Sequence, residues 1–168
     1  EKKKKILDKI KIASEIKKKK IKIKFLIIGD GSLKKNISKL IKSNNLQDNI
    51  LLVGNKNQNW ISSILPFSLA VLSPHGGRSL SESCLAEVPI IAYDYEWQKE
   101  IIKNNITGYL IKNDFWKGFV KKIVFIYNNK NQSKKLAINA RQNILNIMKP
   151  SNLIKNEIKN YQKLLKND

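Results

Sequence analysis

Cysteine and histidine are almost missing, with one of each in 168 residues. A single cysteine, Cys84, excludes an intramolecular disulfide and any cysteine-cluster metal site. It lies in the apolar run SCLAEVPIIA and reads as a small core residue, which fits a reducing cytoplasm. His75 is alone as well. No acid or nucleophile stands at a spacing that would fix a triad with it, no metal-ligand motif is present, and no cofactor is expected. Long apolar runs are also lacking. None reaches the roughly 18 residues of a spanning helix, and the opening EKKKKILDKIKIASEIKKKK has no apolar core of a signal peptide. The first residue is Glu rather than Met, so a piece of something longer is expected.

Acidic residues are scarce: 13 against 33 Lys and Arg, a formal charge of +20. That balance suits nucleic acid, an anionic membrane surface or a phosphorylated ligand. The excess of Lys, Asn and Ile also fits the drift of an AT-rich genome, with the lysines spread over solvated helix faces. Both readings stay open on composition. The length suits one domain with a proper core.

The order of elements is more informative. KKILDKIKIASEIKK places Ile6, Leu7, Ile10, Ala13, Ser14 and Ile16 on one helical face. IKIKFLIIG, NILLVG, LAVLS, PIIAYD and TGYLI read as short strands, most of them continuously apolar. Helical stretches separate them: LKKNISKLIKSNNL with Leu33, Ile37, Leu40 and Ile41 inward, then NWISSIL, RSLSESCLAE and EWQKEIIKNN. Pro89 stops the third of these. From about Phe115 the chain reads as helical, and Pro150 opens the last helix. Alternating helices and buried strands predict an α/β domain, a doubly wound parallel sheet with a helical C-terminal tail. The expected division is a leading helix over 1–20, an α/β core over 21–112 and the tail over 113–168.

In such sheets ligands bind beyond the C-terminal ends of the strands. Four loops are therefore candidates. IIGDGSL has Gly29 and Gly31 between a strand and a helix, but Lys34 stands where a dinucleotide fingerprint needs Gly or Ala. It is a tight turn or a ligand contact. VGNKNQNW can expose backbone groups at Gly54, Asn55 and Lys56 to the edge of a base, or be a plain surface loop. YDYEWQKEI offers Asp94 or Glu96 as helix caps and Trp97 as a core residue.

SPHGGRSLSE is the strongest candidate. Gly76 and Gly77 allow a close backbone approach, and the helix starts near Arg78 or Ser79, so its free N–H groups face the crevice. Arg78 adds a forked cation suited to phosphate oxygens. Glu82, one turn in, is placed to accept hydrogen bonds from hydroxyls. The plainer alternative is a Ser79 cap with Glu82 as a solvated or capping-box acid.

FLIIGDGSLKKNI, NILLVG and AVLSPHGGRSLSESCLAEVPIIAYDYEWQKEIIKNNITGYLI occur in an order that resembles one half of a known family. It is the nucleotide-sugar half of retaining glycosyltransferases of family 4, group 1, with the GT-B fold, a Rossmann-like half. The resemblance covers roughly residues 24 to 112. It implies that Gly77, Arg78, Ser79 and Leu80 present amides to a donor diphosphate. It further implies that Glu82 binds the ribose and that Gly54, Asn55 and Lys56 contact the base, with Gly29, Gly31 and Gly76 in the donor loops. The partners implied are a UDP- or GDP-sugar, a glycan or lipid acceptor, and an N-terminal acceptor domain in cis or trans. Peripheral contact with the cytoplasmic membrane face fits the same picture, and nucleic acid does not.

Two departures stand out. The family pattern is E-x7-E, yet Pro74 stands eight residues before Glu82, beside His75. Either the loop is a shortened variant in which His75 or Arg78 takes over the first glutamate's part, with His75 the one candidate for a catalytic residue, or sugar handling differs. The family's phosphate-clamping Arg and Lys would also precede residue 1. Two other functions compete. One is a basic, non-catalytic module for RNA or an anionic membrane, although aromatic-plus-basic RNA patterns are lacking. The other is a sugar-nucleotide epimerase of the same architecture, which would want acids and histidines that this stretch lacks.

Overall fold

The strand over Ile90–Asp94, β4, shows most directly how this sequence folds. IIAYD is apolar on successive residues, so both faces of the strand need cover. In the computed structural model, which describes residues 2–74 and 76–165, its first four residues are buried. Ile91 and Tyr93 point into one core, with α1 (Lys2–Lys18) and α6 (Trp116–Asn128). Ile90 and Ala92 point into another, with α4 (Arg78–Leu85) and α7 (Lys130–Ile147). Helices on both faces of parallel strands make this the expected doubly wound α/β class.

The remaining elements run β1 (Phe25–Ile28), α2 (Lys34–Ser43), β2 (Ile50–Gly54), α3 (Gln58–Ile64), a 3-10 turn at Leu65–Phe67, and β3 (Val71–Ser73). After β4 come α5 (Gln98–Ile101), β5 (Tyr109–Lys112) and finally α8 (Pro150–Leu164). The helical tail therefore forms as expected, and Pro150 opens its last helix. Every strand pair is parallel.

The strands do not form a single hydrogen-bonded sheet. They divide into a pair, β1-β2, and a triplet, β3-β4-β5. The apolar runs of β1 and β2 were expected to be buried on both faces, but Leu26, Ile28 and Leu51 are 42%, 39% and 57% exposed. Their opposite face, with Phe25, Ile27 and Ile50, packs on α1 and α2. The helix that follows β2, α3, has seven residues and none of them buried.

Helix α1 lies across the divide. Ile12 and Ile16 belong to the core under β4 and β5, whereas Ile10 and Ala13 belong to the core under β1 and β2. Two covered sides explain why Ile12, absent from the expected face, is buried while Leu7 is 41% exposed.

A polar network fixes the helix's N-terminal half. The Tyr93 hydroxyl donates to the buried Asp8 carboxylate at 2.8 Å. Lys5 is 1% exposed, hydrogen-bonds Asn113, meets Asp114 at 3.0 Å and stands 3.8 Å over the Tyr93 ring. Burial, and then the Asp8 carboxylate, push the Tyr93 phenol well above its ordinary pKa, so it remains the donor. No helix among the described residues is long and apolar enough to cross a membrane.

Candidate functional site at the strand ends

Within each sheet the strands are parallel, so the turns after β1 and β2 open on one edge of the pair and those after β3, β4 and β5 on one edge of the triplet. Four of the five hold the candidate loops.

The loop after β3 leads straight into α4, which begins at Arg78 as expected. Its cap is Gly77, with extended backbone (φ 166°, ψ 174°) and no side-chain cap. Ser79 therefore does not cap the helix. The first N–H groups of a helix have no carbonyl one turn back, so those of Arg78 and Ser79 face the loop. The Leu80 N–H donates to the Gly77 carbonyl at 3.0 Å, and its side chain is fully buried. The amides open to a ligand thus narrow to those before Leu80.

Arg78 and Glu82 are four residues apart, on the same face of α4. No hydrogen bond or ion pair engages either side chain among the described residues. Arg78 is exposed and Glu82 half-buried. Glu82, Ser79 and Ser83 border a cavity of about 490 Å³ beside the loop. His75 lies outside the described residues.

The loop's shape has a local cause. A Cβ on Gly76 would fall 2.6 Å from the Trp97 ring, so Gly76 is required by that packing. The fully buried Gln98, with its amide oriented to serve both partners, accepts from the Gly76 N–H at 3.1 Å and donates to the Tyr95 carbonyl. A Cβ on Gly77 would meet nothing within 4 Å, which leaves room beside the helix N-terminus. Gln98 carried no signal in the sequence, where it reads as one more polar residue of YDYEWQKEI. Asp94 and Glu96 do not cap α5, whose cap is Trp97 without a side-chain hydrogen bond.

The turn after β1 is held tightly. The Gly29 N–H donates to the Gly54 carbonyl at 2.8 Å, tying the ends of β1 and β2 together. Gly29 (φ 124°) and Gly54 (φ 68°) both occupy backbone that side-chain-bearing residues avoid. Asp30 accepts from the Gly31 N–H at 2.9 Å and pairs with Lys34 at 2.7 Å. Lys34, the departure from the dinucleotide pattern, thus has a turn-stabilising role. Gly29 and Gly31 line a second cavity of about 290 Å³. Asn55 and Lys56 are exposed beyond β2, and the Lys56 ammonium stands 5.2 Å from the centre of the Trp60 ring. The structure therefore brings Gly54 and Gly29 together.

Lys9 borders both cavities. In the sequence it is one of many lysines on a solvated helix; in the fold it is half-buried, and burial lowers its pKa from the ordinary 10.5. The charged form therefore opposes folding. That cost is full below the folded-state pKa and fades as pH rises toward 10.5, so Lys9 makes the fold more stable with rising pH. Lys9→Met is expected to stabilise the chain by about 1 kcal/mol at pH 7 and to flatten that rise. Urea melts at neutral and alkaline pH read both effects. Cys84 is inert, since burial pushes its thiol up to about 11.

An α/β domain with an uncapped, cation-bearing helix N-terminus at the strand ends defines a class that takes anionic ligands in its crevice. The family model "Glycosyl transferases group 1" matches residues 1–143, and the chain belongs to that family. It is 32% identical over 140 residues to the poly(ribitol-phosphate) alpha-N-acetylglucosaminyltransferase of Staphylococcus aureus, covering 81% of this chain and 28% of that protein. It is 28% identical over 120 residues to the GtfA subunit of a UDP-N-acetylglucosamine–peptide N-acetylglucosaminyltransferase of Streptococcus agalactiae, covering 66% and 24%. The chain thus spans about a quarter of the length of these two relatives.

Among solved structures, a mutant of S. aureus TarM in complex with fondaparinux, alpha-GlcNAc-glycerol and UDP superposes with a TM-score of 0.84 at 28% identity, over 93% of this chain and 32% of that one. Sucrose-phosphate synthase from Thermosynechococcus elongatus reaches 0.81 at 16% identity, over 100% and 44%, which speaks to the fold alone. The fold is that of one half of a GT-B glycosyltransferase.

Proposed function

We propose that this chain is the donor-nucleotide half of a retaining glycosyltransferase, which moves a sugar from a UDP- or GDP-sugar to a glycan or lipid-linked acceptor. One observation carries the reading. The N-terminus of α4 has no side-chain cap, and Arg78 and Glu82 share its exposed face without pairing with each other. Helix amides and a guanidinium suit a diphosphate, and an unpaired carboxylate one turn further suits ribose hydroxyls.

In this reading the amides of Gly77, Arg78 and Ser79 hold the diphosphate and Arg78 neutralises it. Glu82 accepts from the ribose, and Gly54, Asn55 and Lys56 meet the base across the Gly29–Gly31 turn. The leaving diphosphate then departs into a site that already stabilises its charge. Acceptor and donor must be held together in a cleft between two halves, so an N-terminal half completes the enzyme. UDP in the solved TarM complex supports the choice of donor class.

Calorimetric titration with UDP and GDP tests the reading. Arg78→Ala and Glu82→Ala each remove a charge-assisted hydrogen bond, about 1.5–3 kcal/mol, or roughly 10- to 100-fold in affinity. Melting temperatures should be unchanged, because neither side chain has a partner to lose. Unchanged affinity in both variants sinks the donor assignment. Binding to RNA with a steep salt dependence spread over many lysines would favour the basic-module alternative instead.

A further inference from the structure

Gln98 is fully buried, yet it is a polar residue of a four-residue helix whose other buried side chain is Ile101. Glutamine is mostly an exposed residue. A carboxamide taken out of water is costly unless both its N–H groups and its C=O find partners. Ile101 and Ile102 belong to the core of α4, β4 and α7, so a residue that only filled the space beside them would be apolar. The carboxamide is explained instead by what it bonds.

Both partners are loop backbone. The side-chain carbonyl accepts from the Gly76 N–H at 3.1 Å, and the side-chain amide donates to the Tyr95 carbonyl. The Gln98 backbone N–H reaches the same Tyr95 carbonyl at 3.4 Å. One side chain thus joins the loop after β3 to the loop after β4. The tie continues beyond Tyr95. The Lys5 ammonium stands 5.7 Å from the centre of the Tyr95 ring and also bonds Asn113 and Asp114, after β5. Three strand-end loops and the start of α1 are linked through Gln98, Tyr95 and Lys5.

The bond to Gly76 has a particular place in the chain. Five consecutive N–H groups run from Gly76 to Leu80. The first donates to Gln98, and the last donates to the Gly77 carbonyl at 3.0 Å. The three between them, those of Gly77, Arg78 and Ser79, have no partner among the described residues. Peptide planes are rigid, so only φ and ψ can re-aim those groups. Gly76 and Gly77 are the residue type whose φ and ψ turn most freely. Without an anchor ahead of them, the open amides would point many ways. Gln98 supplies that anchor.

We infer, resting on the donor reading above, that Gln98 is the positioning residue of the diphosphate site: it fixes the Gly76 peptide and so aims the open amides of Gly77, Arg78 and Ser79 before a ligand arrives. Being fully buried, it touches no ligand itself. Its effect is preorganisation, since amides already aimed need no ordering when the anion binds. Only a group that donates and accepts at once can hold both loops. Methionine fills the volume and makes neither bond. A protonated glutamate makes both, its O–H donating to the Tyr95 carbonyl and its C=O accepting from the Gly76 N–H.

Gln98→Met and Gln98→Glu in the 168-residue chain test this, under conditions where circular dichroism shows each variant folded. Amide hydrogen exchange reads the loop without a ligand. The Gly76 N–H should exchange at least about 10-fold faster in Gln98→Met, while the Ile91 and Ala92 amides of β4 keep the parent's rates. Calorimetric titration with UDP reads the site. Gln98→Met should bind roughly 10-fold more weakly. Gln98→Glu should bind within about twofold of the parent at about pH 5, where burial keeps its carboxyl protonated. A role in packing alone would not give that rescue. Gln98→Asn, one methylene short of both partners, serves where Gln98→Met does not fold. Equal Gly76 exchange in parent and variant overturns the proposal. So does a folded Gln98→Met that binds UDP as tightly as the parent, or a Gln98→Glu that binds as weakly as Gln98→Met at the acidic pH. A parent that binds neither UDP nor GDP sinks the donor reading, and the Gly76 exchange then decides by itself whether Gln98 holds the loop.

Discussion

Gly76→Ala is expected to cost the fold about 1–3 kcal/mol and to weaken UDP binding roughly 10- to 100-fold. The added Cβ would fall 2.6–2.9 Å from three atoms of the Trp97 ring. That ring packs against the core of α4, β4 and α7, so it cannot swing aside without opening that core. The loop would move instead, carrying the Gly76 N–H away from Gln98 and misplacing the amides before α4. Gly77→Ala is the matched control. Its backbone is extended and the added Cβ meets nothing, so stability should change by less than about 0.5 kcal/mol. Any loss of UDP affinity in that variant reports a ligand lying against Gly77. Thermal melts and calorimetry on both variants separate loop shape from ligand approach. A Gly76→Ala protein that melts and binds like the parent would show that Trp97 does not set the loop.

Tyr93→Phe is expected to destabilise the chain by about 2–3 kcal/mol, lowering its melting temperature by roughly 4–12 °C. The substitution keeps the ring, including its edge-on contact with Phe119 at 4.7 Å, and removes only the hydroxyl. Asp8, 3% exposed, then loses its donor at 2.8 Å, and among the described residues Lys11 at 4.0 Å is what remains. A buried carboxylate without a close donor is costly. The loss should shrink in the double variant Tyr93→Phe with Asp8→Leu. A single variant as stable as the parent would mean that the network does not anchor α1.

The α/β class could be read because it rests on local periodicity. β4 is legible as IIAYD because a strand covered on both faces has no polar position to alternate. The start of α4 at Arg78 is legible because two glycines precede a helical pattern. Cys84 was placed in the core by its apolar neighbours alone. Gln98 and Lys9 show the opposite case. Each is a polar residue in a polar stretch, and nothing nearby in sequence marks one as fully buried and the other as bordering a cavity. Their surroundings come from segments distant in the chain: Gly76 for Gln98, β1 and the turn after it for Lys9.

The order of strands and helices, the family and the candidate loops were thus determined by the sequence itself, since hydrophobic period, turn residues and motif order are local properties. Three matters were decided only by the tertiary structure. Leu80 was withdrawn from the open amides by a bond to Gly77, and Gly76 was tied to Trp97 and Gln98. The apolar run of β1 was left half-covered, at the divide between the two sheets. A sequence pattern states that a strand needs cover; only the assembled fold shows which cover it has, because strand pairing joins residues that are far apart along the chain.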